Sequence, residues 1–184
     1  MAMASDRALI DEFRTTGDLA LLNALVERHI DGIRAAVYPM VLNHADKDDL
    51  VQEVFMRAFK GLDRFDGRAA FSTWLHRIAL NTARSHLRRQ RRSPVDSAAE
   101  APAMPAGETS APQAALHGRE LGQQIETALG ELTDKLRAAV VLLVLQQRGV
   151  TEAAAIEGCS AATMYWRLHQ ARRKLKAKLG DFLP

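Results

Sequence analysis

Between Phe65 and Arg92 the chain places the aromatic side chains of Phe65 and Trp74 and the amide of Asn81 beside the guanidinium groups of Arg77, Arg84, Arg88, Arg89, Arg91 and Arg92. From Phe71 to Arg92 no Asp or Glu offsets those cations. This set cannot make or break covalent bonds, but it can hold nucleic acid. Arginines grip phosphates, and an aromatic ring or amide beside them can stack on, or hydrogen-bond to, a base that has left its helix. Cations at a helix end also complement the helix dipole, yet so many unpaired like charges are better explained by phosphates. Trp74 has two readings, since its spacing with Leu75 and Ile78 also suits a core position.

A second acid-free basic segment runs from Gly158 to Gly180, GCSAATMYWRLHQARRKLKAKLG. A short helix, a Gly-containing turn and a basic helix match the helix-turn-helix pattern, whose second helix enters the major groove. Side chains near the start of that helix would lie closest to base edges, making Thr163, Tyr165, Trp166, Arg167, His169 and Gln170 candidates for reading. Further along, Arg172, Arg173, Lys174 and Lys176 are placed to grip phosphates. Tyr165 and Trp166 could equally pack on the preceding helix or on a protein partner.

The elements that must position these groups are all helices. Asp6 and Asp18 are N-cap types for two successive helices, with Pro39 bending or shortening the second. Asp46 starts a third, whose stripe of Leu50, Val51, Val54, Phe55, Ala58, Phe59 and Leu62 faces a core. Ser72 is the expected cap of the arginine-tailed helix. After residue 92 the sequence SPVDSAAEAPAMPAGETSAPQAALH holds Pro94, Pro102, Pro105 and Pro112 and no Lys or Arg, the composition of a flexible linker. Helical pattern resumes at Arg119, and Thr133 is placed to cap the apolar KLRAAVVLLVLQQ helix. Thr151 opens a short helix, and Ser160 or a neighbour caps the last one. No β-alternation appears. The expected architecture is all-α: two small helical domains, residues 1–92 and 118–184, joined by a linker at 93–117.

At 184 residues, 26% charged and 47% hydrophobic, the chain has the composition of a soluble globular protein. Its single cysteine, Cys159, excludes an internal disulfide and a Cys-rich zinc site and suits a reducing compartment. His29, His44, His76, His86, His117 and His169 show no metal-ligand spacing, and no Gly-rich phosphate loop occurs. No enzyme activity, cofactor or metal is therefore expected. The start of the chain lacks a signal-peptide profile, and Ala138–Leu145 is too short to cross a bilayer. The expected location is cytoplasmic.

The segments DDLVQEVFMRAFKGLDRF and FSTWLHRIALNTARSHLRR resemble the second conserved region, and RLHQARRKLKAKL the fourth, of the extracytoplasmic-function (ECF) group of sigma-70 family RNA polymerase sigma factors. The resemblance implies a dissociable subunit that binds core RNA polymerase, directs it to promoter DNA and helps open the −10 element. In the family the helix matching Asp46–Leu62 docks on the polymerase, which makes Asp49, Gln52, Glu53 and Arg57 the candidate contacts. The base pocket would fall on Asn81 and the Asp63–Ala69 loop, with Phe65, Trp74, Arg77, Arg84, Arg88 and Arg89 around it. The last helix would read the −35 element, although Met164, Tyr165 and Trp166 depart from a common family form, a small apolar residue followed by Lys and Ser. An anti-sigma partner, membrane-anchored in some systems, is also implied. A narrower similarity points to sigma factors of nickel and cobalt resistance systems. The competing reading is a ligand-responsive helix-turn-helix repressor or activator, which would dimerise on a palindrome.

Two sites about 16 base pairs apart lie roughly 55 Å from each other. A linker of about 25 residues coils to only ~28 Å but extends to ~85 Å. It can span the sites only when stretched, so the free chain should bind promoters poorly.

Overall fold

The computed structural model describes residues 4–42, 46–92 and 112–180, the side chains of 112–120 excepted. Eight α-helices and no strand occur among them. Of the sequence readings, His44 and residues 93–111 of the expected linker lie outside the described residues.

The first helix, α1 (Asp6–Thr16), is capped by Ser5, whose Oγ accepts from the Ala8 amide at 3.2 Å. Asp6, expected as that cap, instead binds Arg28 at 2.5 Å and His29 at 2.9 Å on the next helix. Asp18 does cap α2 (Leu19–Val41), accepting from Ala20 at 2.9 Å. Pro39 sits inside α2, which continues to Val41. The bond that Pro39 cannot donate would have gone to Ala35, an exposed residue, so water can take that carbonyl. In α3 (Lys47–Lys60) the flanking Asp46 makes no cap bond; its carboxylate accepts from His86 at 3.2 Å and Gln90 at 3.0 Å on α4 (Phe71–Arg92). Ser72 lies in the first turn of α4 rather than before it, and its carbonyl accepts from His76.

Helices α2, α3 and α4 pack pairwise around Leu25, Ile33, Met40, Val54, Leu75 and Leu80, with α1 laid across α2 through Leu9 and Ile10. Each such side chain, fully buried, contributes roughly 2 kcal/mol. Apolar three-four spacing thus yields a bundle whose outer α4 face is left to arginines.

Helix resumes before Arg119, where the sequence pattern restarts it. Helix α5 spans Pro112–Gly130, and Pro112, read as a breaker, is its first residue, where the missing N–H costs nothing. Thr133 has the extended backbone of a cap but no side-chain bond to α6 (Asp134–Val140). This helix widens into a π-turn at Val141–Leu145, with Gln146 N reaching Val141 O at 2.9 Å, so the single long helix expected here is interrupted. Helix α7 (Val150–Glu157) ends at Gly158, whose φ of 63° suits glycine. Ser160 then caps α8 (Ala161–Leu179), accepting from Thr163 at 3.1 Å.

The two units are docked, not apart. Ala138, Ala139, Val141, Leu142, Ile156 and Met164 belong to the same apolar cluster as α1–α4, while Leu136 and Val140 on the other side of α6 pack with Ala171 of α8. The apolar residues of α6 thus face two ways, and the helix lies between the N-terminal bundle and α8. No helix among the described residues is long and apolar enough to cross a membrane.

Candidate nucleic-acid interface

Helix α4 turns its Leu75, Ala79, Leu80 and Ala83 inward and leaves Arg77, Asn81, Arg88 and Arg89 exposed. Arg88, Arg89 and Arg92 line one cleft with Ser85 of α4 and Arg57 of α3. Arg57 is held by Glu53 at 2.6 Å and Arg89 lies 3.6 Å from the same carboxylate, so Glu53 links the α3 face to the arginine cleft. Of the cations in this cleft, Arg88 and Arg92 have no carboxylate partner among the described residues.

Of the expected base-trapping aromatics, Phe65 is in the core. Its ring packs edge-on to Phe71 with centroids 5.6 Å apart and against Trp74 at 5.3 Å. Trp74 is half-buried in the same cluster, so both rings wall the region from inside. Asn81 remains open, in a cleft shared with Arg84, Ser85 and Arg88 on one side and Thr133, Asp134 and Lys135 on the other. The exposed amide therefore sits at the seam between the two units.

That seam is polar and specific. Glu157, whose side chain is only 3% exposed, accepts from Arg84 of α4 at 2.5 Å and from Arg167 of α8 at 2.9 Å. The Arg77 guanidinium lies over Gly158, where a Cβ would come within 2.8 Å of it. Arg91 pairs with Asp134 at 3.2 Å, Tyr38 donates to Glu126 at 2.6 Å, and Gln146 donates to the Gly32 carbonyl at 2.8 Å. His76 donates from Nδ1 to Ser72 O at 2.7 Å, which leaves Nε2 to accept from Arg148 at 2.9 Å. Burial and then the Arg148 charge push the His76 pKa down to about 4, so the ring is neutral and fits this accepting role.

On α8, Met164, Leu168 and Ala171 point inward, and Tyr165, Trp166, His169, Arg172, Arg173, Lys174 and Lys176 are exposed. Tyr165 is 61% exposed and Trp166 60%, so neither packs on the preceding helix. Thr163 and Gln170 are half-buried at the edge of that face, and Arg167 is held at the seam.

Sequence reasoning missed one feature of the α3 face. Asp49 and Gln52 rim a groove between α2 and α3 whose floor is apolar, formed by Val26, Ile30, Phe55, Met56 and Phe59. Met56 is an exposed large apolar residue in the middle of an otherwise inward stripe, and its offset from that stripe was the available signal.

Residues 25–93 match the Sigma-70 region 2 family and residues 122–175 match Sigma-70, region 4. The chain is 35% identical to the ECF RNA polymerase sigma-E factor of Escherichia coli (strain K12) over 182 residues, covering 95% of this chain and 94% of that protein. It is 31% identical to the ECF RNA polymerase sigma factor SigE of Mycolicibacterium smegmatis, covering 89% of this chain and 65% of that one. Among solved structures, CnrH in complex with the cytosolic domain of CnrY is similar with a TM-score of 0.72 and 28% identity, over 98% of this chain and 100% of that chain. RpoE in complex with the anti-sigma factor NepR from Bartonella quintana is similar with a TM-score of 0.68 and 25% identity, over 88% of this chain and 98% of that chain.

Proposed function

Because the chain belongs to the ECF group of the sigma-70 family of RNA polymerase sigma factors, we propose a role for each of its three exposed faces. The α2–α3 groove and the adjoining α3 face take core polymerase, with Asp49 and Gln52 at the groove's rim and Glu53 and Arg57 beside the arginine cleft. The α4 face, with Asn81 and the Asp63–Ala69 loop, opens and reads the −10 element. The solvent face of α8 reads the −35 element. The observation that carries this reading is the order of two matched regions, each ending in an acid-free basic helix, over nearly the full length of a relative. A conventional repressor leaves the N-terminal match unexplained.

The chain is a transcription initiation factor, and its chemistry is binding. Phosphates dock on Arg88, Arg89 and Arg92, and a base released from the duplex meets the Asn81 amide in the cleft beside them. Phe65 and Trp74 act on this site through packing, by fixing the loop and the first turn of α4. The similar structure solved with the anti-sigma factor NepR supports an anti-sigma factor as the cytoplasmic regulator of this chain as well.

Adding the purified chain to bacterial core polymerase should give run-off transcripts from specific genomic fragments. Transcription no different from core alone would reject the assignment. With that assay in hand, Asn81→Ala should slow open-complex formation by about tenfold while leaving affinity for core unchanged, as expected from one lost polar contact to a base. Arg173→Ala should weaken −35 duplex binding across sequences alike and flatten the log-log salt slope by ~0.9. A changed base preference would instead make Arg173 a reading residue.

A further inference from the structure

We propose that Arg14 of α1 is a positioning residue for base capture at the −10 element, an inference that rests on reading the Asp63–Ala69 loop as one wall of the base pocket. The loop leaves the α3 end through a 3₁₀ turn at Leu62–Arg64. One guanidinium nitrogen of Arg14 donates to the carbonyls on both sides of that turn, Leu62 O at 2.6 Å and Phe65 O at 2.7 Å. Asp11, 3.4 Å away, steadies the other nitrogen. Hydrogen bonds from a charged donor are short and roughly twice as strong as neutral ones. The root of the loop is thus fixed at its backbone by α1 and at its side chain by the buried Phe65 ring.

Helix α1 reaches the far part of the loop too. Gly67 has a φ of 73°, and a Cβ there would stand 2.3 Å from the Arg7 guanidinium. Asp66 accepts from the Arg68 amide at 3.0 Å, closing the turn. Asp63, Arg64, Asp66, Arg68 and Ala69 are exposed and have no core packing to hold them. Their placement depends on these ties. A wall already in place spends no binding energy on ordering itself when a base arrives, whereas a loosened one does. Helix α1 precedes the matched segment 25–93, so nothing in the matched motif points to Arg14.

The test uses holoenzyme assembled from core polymerase and each variant, on fork-junction DNA with a single-stranded −10 segment, intact or abasic at each position in turn. Wild type should prefer intact over abasic DNA at the captured position. Arg14→Ala should shrink that preference by about tenfold, and Arg14→Lys, which keeps a cationic donor, should recover part of it. Gly67→Ala, which displaces Arg7 at an exposed turn, should shrink it as well. A variant that is merely less stable would lose affinity for intact and abasic DNA alike and keep the ratio, and that result overturns the inference. If Asn81→Ala abolishes the preference while Arg14→Ala and Gly67→Ala retain it, the pocket stands and the brace is rejected. If wild type shows no preference anywhere and Asn81→Ala changes nothing, the pocket reading itself fails and the inference with it.

Discussion

Glu157→Gln should open the free protein and raise its affinity for DNA. The Glu157 carboxylate is buried with one arginine from each unit, Arg84 and Arg167. Removing its charge leaves two largely buried guanidinium groups facing each other. Breaking a buried pair by deleting one partner costs roughly 3–5 kcal/mol, which the molecule can escape by undocking and returning both arginines to water. The expected result is a larger radius of gyration in small-angle scattering, with helix content unchanged. Duplex binding by the free chain should tighten at least ~10-fold at low salt, because two more cations become available to phosphates. An unchanged radius and unchanged affinity would show that the docked form does not depend on this carboxylate.

The same residue explains why docking and promoter binding exclude each other. Arg84 lies on the helix proposed for the −10 element and Arg167 on the helix proposed for the −35 element, yet both touch one carboxylate. Elements about 16 base pairs apart are separated by roughly 55 Å. No single side chain can bridge helices placed on both. The docked form can therefore serve at most one element, and the two units must part before the chain spans a promoter. On the proposed roles, the stretched connection required by linker length and this undocking are one event.

Local rules made the helices legible. The apolar stripe of α3, the arginine face of α4 and the Ser160 cap of α8 all follow from period and cap chemistry, because neighbours in sequence decide them. What failed was decided by tertiary partners. Asp6 and Asp46 are good cap residues, but each is drawn away by cations or amides on another helix. The packing of Phe65 against Phe71 and Trp74 was likewise not legible, because those partners come together only in the fold. Arg84 and Arg167 read as free cations because their acid, Glu157, lies 73 residues from one and 10 from the other. One signal of docking was present in the sequence. The run Ala138–Leu145 has no polar face to give to water, and its first five residues, Ala138–Leu142, are buried, while Val144 and Leu145 stay exposed. Its shortness settles only the question of a membrane span.

Arg137→Met should cost fold rather than docking alone. Arg137 is 3% exposed and donates to four backbone carbonyls: Leu129 at 2.8 Å, Gly130 at 2.9 Å and Leu132 at 3.3 Å around the end of α5, and Met40 at 2.5 Å at the end of α2. Helix C-termini leave carbonyls without intrahelical partners and carry partial negative charge, so one cation caps two helices from different units. Burial pushes the Arg137 pKa down and Asp134 pulls it back up. The carbonyls supply further stabilisation to the charge. Methionine fills a similar volume but donates nothing, leaving those oxygens buried without partners at roughly 1–3 kcal/mol each where water cannot enter. Three of the four belong to the C-terminal unit, so the unit should melt rather than swing free. The expected thermal transition is lower by at least ~10 °C, with helix content lost, in contrast to Glu157→Gln, where helix content stays. A midpoint within ~2 °C of wild type would mean that water or a neighbouring donor replaces the guanidinium, and that α6 is held by apolar contact alone.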